Sequence, residues 1–253
     1  MSERDTKSVQ IFTARACAAP LEEAAKRHET QTGVHVAISA CNRHCASPVA
    51  EEAAAVSGNH DFLVEIAEDG IYDLAISGAD YLLDDGEIRG IVQKGERQLF
   101  AYRRSAIVVP AGNPAGIRGL SDLARPGVRV AISMIDCLKG LWEDVTARLG
   151  LAAQVQRNIT FRANGCVAIV EALAQRKADA AIAWSAFAHL AEGRIEIIET
   201  PRDQQVWRAT SVALLTTSKQ PEPARAFMRF LGSPDAAAFY AKYGWAAAGP
   251  GGR

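Results

Sequence analysis

No apolar run in this sequence approaches the roughly 18 residues a membrane span needs, so membrane insertion is not expected. Charge of one sign is lacking too. The 28 lysines and arginines nearly balance 29 aspartates and glutamates, leaving a formal charge of -1 and no global field to favour nucleic acid. No G-x-G-x-x-G follows a strand-like run, and no G-x-x-x-x-G-K-S/T occurs, so dinucleotide binding and P-loop chemistry lose their usual support. Internal repeats, low-complexity tails and basic stripes interleaved with aromatics are missing as well. The opening stretch, MSERDTKSVQIF, is charged and has no apolar segment of the secretory kind. The expected compartment is therefore the cytoplasm, or the periplasm if a signal has been removed.

Apolar material is plentiful: 49% of the 253 residues are hydrophobic, enough for one large domain or two lobes with separate cores. VQIFTA (9–14), VHVAIS (34–39), DLAISG (73–78), SAIVVP (105–110), VRVAIS (128–133), ADAAIAW (178–184), IEIIET (195–200) and TSVALLTT (210–217) read as strands. A helix joins the first two, with Pro20 in its first turn, Glu22 and Glu23 near its N-terminal end and Gly33 beyond its close. Further helical patterns fall near 47–56, 60–68, 137–149, 166–176, 223–231 and 234–242. The alternation predicts an α/β fold with parallel sheets. The turn-rich stretch VVPAGNPAGIRGLSDLARPGVRVAIS reads as a passage from one lobe into another. Two-lobed α/β proteins take ligands where strand ends meet helix N-termini.

Five cysteines, an odd number, cannot all pair within the chain and do not suggest a disulfide framework. All five fall on strand-to-helix connections: Cys17 after VQIFTARA, Cys41 and Cys45 in ACNRHC, Cys137 after VRVAISMID and Cys166 after NITFRANG. Ser47, Asp136 and Asn164 are the natural caps of the helices that follow. Core cysteines would scatter into strands and apolar stripes, so the pattern predicts thiols sharing one cleft. Helix N-termini lower a neighbouring thiol's pKa and suit thiolates that ligate a soft metal. Arg15, Arg43, Arg162 and Lys139 lie nearby and suit either a negative cluster or an oxyanion, although such residues are more often solvated surface charges. His44 reads as a nitrogen ligand or as a hydrogen-bonding neighbour of the thiols. C-x-x-x-C alone is a weak zinc signature, and the spacings of thioredoxin-like and ferredoxin motifs are absent.

The segments VQIFTARACAAPLEEAAKRHETQTGVHVAIS, YDLAISGAD, SAIVVPAGNPAGIRGLSDLARPGVRVAIS, KADAAIAW and PEPARAFMRFLGSPDAAAFYAKYGW, in that succession, resemble the molybdate-binding ModA family of ABC-transporter solute receptors. The similarity runs from about Val9 to Trp245. It implies a type 2 periplasmic-binding fold: two lobes, two crossover strands in SAIVVP and SVALLTT, and an oxyanion in the cleft. Residues 1–105 and 210–253 would form the first lobe and 106–209 the second. The family's small hydroxyl positions would fall at Ala16 or Cys17 and in the Cys41–Cys45 segment. Its second-lobe loops would correspond to Cys137-Leu138-Lys139-Gly140 and Asn164-Gly165-Cys166, and its tyrosine to Trp184.

These departures replace hydroxyl donors by thiols, which donate poorly. The leading expectation is therefore a binding protein, not an enzyme, holding a metal–sulfur cluster or thiophilic metal through Cys17, Cys41, Cys45, Cys137 and Cys166. Arg43, Lys139, Asn164 and Trp184 would complete the site. An iron–sulfur cluster ranks first because five thiols exceed one four-coordinate centre; Zn(II), Cu(I) and arsenite are the alternatives. Storage, delivery or sensing would follow, with a metallocofactor donor or recipient as partner. The rival expectation is a molybdate or tungstate receptor whose backbone amides hold the oxyanion, partnered by an ABC permease if exported. Cys41 with His44 is a superficial nucleophile–base pair without a third orienting residue.

Overall fold

A computed structural model describes residues 8–41, 62–134, 136–163 and 165–251. Strand β1 (Ser8–Thr13) runs parallel to β2 (His35–Ala40) on one side and to β3 (Leu74–Ile76) on the other. Helix α1 (Ala18–Thr32) makes the crossover between β1 and β2. Its buried Leu21, Ala24, Ala25 and His28 recur every three or four residues and form one stripe against the sheet. Gly33 ends it with φ 72°, a left-handed conformation, and returns its N–H to the Glu29 carbonyl at 2.8 Å.

The molecule is organised by one long strand, β4 (Val92–Pro110). From Val92 to Arg104 it pairs antiparallel with β9 (Trp207–Leu215), which in turn lies against β3. From Ser105 to Pro110 it pairs instead with β7 (Ala180–Trp184) and β8 (Ile195–Ile198). Strand β5 (Val130–Ser133), parallel to both β6 (Ile159–Ala163) and β7, completes the second half. The order β2-β1-β3-β9-β4-β7-β5-β6 is thus a two-lobed α/β fold of the type 2 periplasmic-binding kind, with β4 passing between the lobes.

The remaining helices are α2 (Phe62–Asp69), α3 (Asp80–Ile88), α4 (Leu141–Ala147), α5 (Ala152–Arg157), α6 (Cys166–Ala174), α7 (Pro221–Leu231) and α8 (Pro234–Lys242). The main core joins residues of both lobes, among them Ile11, Leu21, Ile107, Ile132, Ile169 and Phe227. A second cluster of Phe12, Phe62, Leu63, Ile66, Leu83 and Leu215 lies beneath α2 and α3. Among the described residues no helix is long and apolar enough to cross a membrane.

Three expectations need correction. The sheet is mixed, because β4 and β9 run antiparallel to every strand with which either pairs. The single helix foreseen over 137–149 is broken: a 3-10 turn at Asp136–Leu138 is followed by Gly140 at φ 70°, and the α-helix starts only at Leu141. Its N-cap is therefore Gly140, not Asp136. Helix α3, strand β6 and the first two-thirds of β4 were not foreseen, since DYLLDDGEI and VQKGERQLFAYRR are rich in charge. The helix expected near 47–56, with its cap Ser47, lies outside the described residues, as does the cap Asn164.

Candidate functional site

Alternation along β4 buries Ala101, Arg103 and Ser105 on one face and leaves Tyr102 and Arg104 less covered. Arg103 is therefore an arginine at a core position, only 3% exposed. Its direct cross-strand partner on β9 is Arg208. Both guanidinium groups lie over the Trp184 ring, at 4.8 Å and 5.6 Å from its centroid. Like charges directly opposite in a sheet repel, and stacking on an aromatic face offsets only part of that cost.

The two arginines are compensated unequally. Arg208 pairs with Asp144 at 2.9 Å and donates to the carbonyls of Cys137 and Lys139. Among the described residues the Arg103 guanidinium makes a 3.4 Å hydrogen bond to the Ala209 carbonyl, its buried Nε has no partner, and no carboxylate pairs with it. Lys139 lies near the Tyr81 ring, 5.7 Å from its centroid. These three cations, with Asp80, Tyr81 and Ala209 among the other walls, line a cavity of about 480 Å³. It lies where β4 and β9 meet the N-terminus of α3 and the loop after β5. Desolvated positive charge facing a cavity is an arrangement that takes an anion.

The thiols do not share it. Cys41 belongs to the core cluster beneath α2, with Sγ 3.9 Å from Glu65 Oε2. Cys17 is buried beside Thr13 and Arg103, Cys137 against Gly78, and Cys166 at the start of α6. None of the four is in a disulfide. No three His, Cys, Asp or Glu side chains among the described residues are placed to hold a metal ion. The expectation of a metal–sulfur centre therefore gains no support from Cys17, Cys41, Cys137 and Cys166, each of which is buried and outside the lining of this cavity. Cys45, Arg43, His44 and Asn164 lie outside the described residues. Trp184 is fully buried, and the guanidinium groups of Arg103 and Arg208 lie over its ring. Of the described residues nominated from sequence, Lys139 lines the cavity.

Burial pushes the Cys17 thiol up from 9.0 to about 11, against the smaller pull of Arg103 and Thr13. In the free protein a thiol of that kind stays protonated at neutral pH. The sign follows: a raised folded pKa gives stability that is complete below 9.0 and lost as pH rises through about 11. Relative to Cys17→Ala, the native protein loses about 2–3 kcal/mol of unfolding free energy over that range, read from denaturant titrations at stepped pH.

The arginines on β4 and β9 escaped the sequence reading, which followed the cysteines. A signal was present: in FAYRRSAIVVP, Arg103 is in phase with residues that must face the core. Asp80 gave no comparable sign.

Residues 9–246 match the family model described as bacterial extracellular solute-binding protein. The molybdate-binding protein ModA of Mycobacterium tuberculosis is 24% identical over 174 residues, 69% of this chain. That match spans 65% of the relative's length, a little under two thirds. Among solved structures, L-phospholactate-bound PEB3, a protein of Campylobacter jejuni, superposes with a TM-score of 0.76 at 21% identity, covering 94% of this chain and 99% of PEB3. The periplasmic molybdate-binding protein of Azotobacter vinelandii gives 0.72 at 19%, covering 95% and 100% respectively. At such identities the structures speak for the fold alone. With the two-lobed fold and a family match over nearly its whole length, the chain belongs to the bacterial extracellular solute-binding proteins.

Proposed function

We propose that this chain is the receptor component of an ABC transporter, and that it captures a small anion between its lobes without chemical change. The single observation that carries the reading is Arg103: a buried guanidinium opposite a second arginine, without a described carboxylate partner, on the wall of the cavity. An anion bound there would relieve the cross-strand repulsion and satisfy the unpaired Nε. Lobe boundaries at 105/106 and 209/210 belong to the same proposal, supported by the change of pairing partners at Arg104–Ser105. An ABC permease is the partner that this role requires.

Molybdate and tungstate are the first probes, because the curated relatives carry the molybdate-binding name. Phosphate, sulfate and small organic phosphates follow, the last because PEB3 holds L-phospholactate on the same fold. An iron–sulfur, zinc, copper or arsenite site draws no support from the described cysteines. Isothermal calorimetry on ligand-stripped protein tests the proposal. Saturable one-to-one binding of at least one of these anions is expected. Failure of all of them to bind or to raise the thermal midpoint would remove the reading.

A further inference from the structure

We infer that the ligand of this cleft carries a hydrogen-bond donor as well as negative charge, and that Asp80 is the residue that selects for it. The inference rests on the anion-receptor reading above. Asp80 opens α3 and contributes to the same cavity wall as Arg103, Lys139 and Arg208. Its two oxygens are in different situations. Oδ2 accepts the Ser211 hydroxyl at 3.1 Å, whereas Oδ1 is buried with no donor among the described residues.

A carboxylate in the wall of an anion site is costly unless something bridges it to the ligand. A fully deprotonated oxyanion brings lone pairs against the lone pairs of Oδ1, and the desolvated acceptor stays unmet. A ligand with an O–H or N–H turned toward Asp80 converts that repulsion into a charge-assisted hydrogen bond. Two residues of the wall thus hold buried groups with no partner among the described residues, the acceptor Asp80 Oδ1 and the donor Arg103 Nε. A single molecule that is both anion and donor fills the two together. The cavity, about 480 Å³, falls within the roughly 300–1,000 Å³ of small-molecule sites. Two sources of the donor fit this chemistry: a proton on the oxyanion itself, or a hydroxyl on an organic anion.

Calorimetry near pH 8 separates them, since a phosphate monoester with a second pKa of about 6 has no proton left on its phosphoryl group there. Inorganic phosphate retains one proton, and glycerol phosphate offers hydroxyls. Methyl phosphate, sulfate and molybdate offer no donor. At least one of the two donor-bearing anions is expected to bind about tenfold to hundredfold more tightly than the donor-free set. Preference for inorganic phosphate places the donor on the oxyanion; preference for glycerol phosphate places it on the organic part. Asp80→Asn presents an amide that donates, so sulfate and molybdate should gain affinity and the gap should shrink to less than about threefold. Wild-type protein that binds molybdate or sulfate as tightly as both donor-bearing anions overturns the inference and leaves the receptor reading in place. Protein that binds none of the five overturns both.

Discussion

Arg103→Met lowers the affinity for the best-bound anion by about a hundredfold or more. Removing one partner of a buried charge pair costs on the order of 2–5 kcal/mol, and each 1.4 kcal/mol is about a factor of ten. The ligand-free protein should respond in the opposite sense. In it, Arg103 is a desolvated cation facing Arg208, so an apolar side chain of similar length removes a penalty from the folded state. Thermal midpoints of the stripped variant are therefore expected to equal or exceed those of the parent. Arg103→Lys keeps the charge but loses the fork of donors, and its affinity should fall between the two. Calorimetry and melting curves on the same preparations check the set. Unchanged affinity in Arg103→Met would move the site elsewhere. A fall in the melting point of the stripped protein would mark the residue as structural.

Gly78→Ala is expected to cost tenfold to a hundredfold in affinity without touching the ligand. Gly78 follows β3 in the first lobe, and Cys137 follows β5 in the second. A methyl group on Gly78 would stand 2.8 Å from the Cys137 Cβ. Carbon atoms in contact settle near 3.5–4.0 Å, so the loops must separate by about an ångström. Hydrogen bonds from both lobes to one small anion weaken over that distance, since they decline steeply beyond about 3.2 Å. The folded lobes themselves should melt as before. Adding Cys137→Gly removes the opposing carbon, so the double variant should recover most of the lost affinity. Equal losses in single and double variants would refute the wedge.

The outline of the fold was legible because its signals are local and repeated. Strands such as VQIFTA and ADAAIAW are apolar enough to be recognised alone, and Pro20 and Gly33 bracket α1. Helix α3 was hidden, because DYLLDDGEI gains its place from Leu83 and Gly86 packing on Leu63 and Val92 rather than from its own pattern. The site was legible only in part. Lys139 was found through the loop it occupies. The cysteines drew the reading toward a ligand, because a turn that wants a small buried side chain and a turn that offers a ligand look alike in one sequence. Arg103 and Arg208 acquire their meaning from being opposite each other, and no single stretch of chain states that pairing.

The position of β9 also bears on how the chain reaches this state. Strand β3 receives one neighbour, β1, soon after it is made, but its other edge is closed only by the register that sets Leu74 against Leu214. The intervening chain contains β5 to β8, which pair among themselves and with the end of β4. Such a topology has a high contact order, and loop closure of that length delays the rewarding contacts. During synthesis the central strands are complete while β3 still presents an open edge. That edge, apolar and unpaired until residues 207–215 emerge, is where a nascent chain of this protein is most exposed to association with its copies.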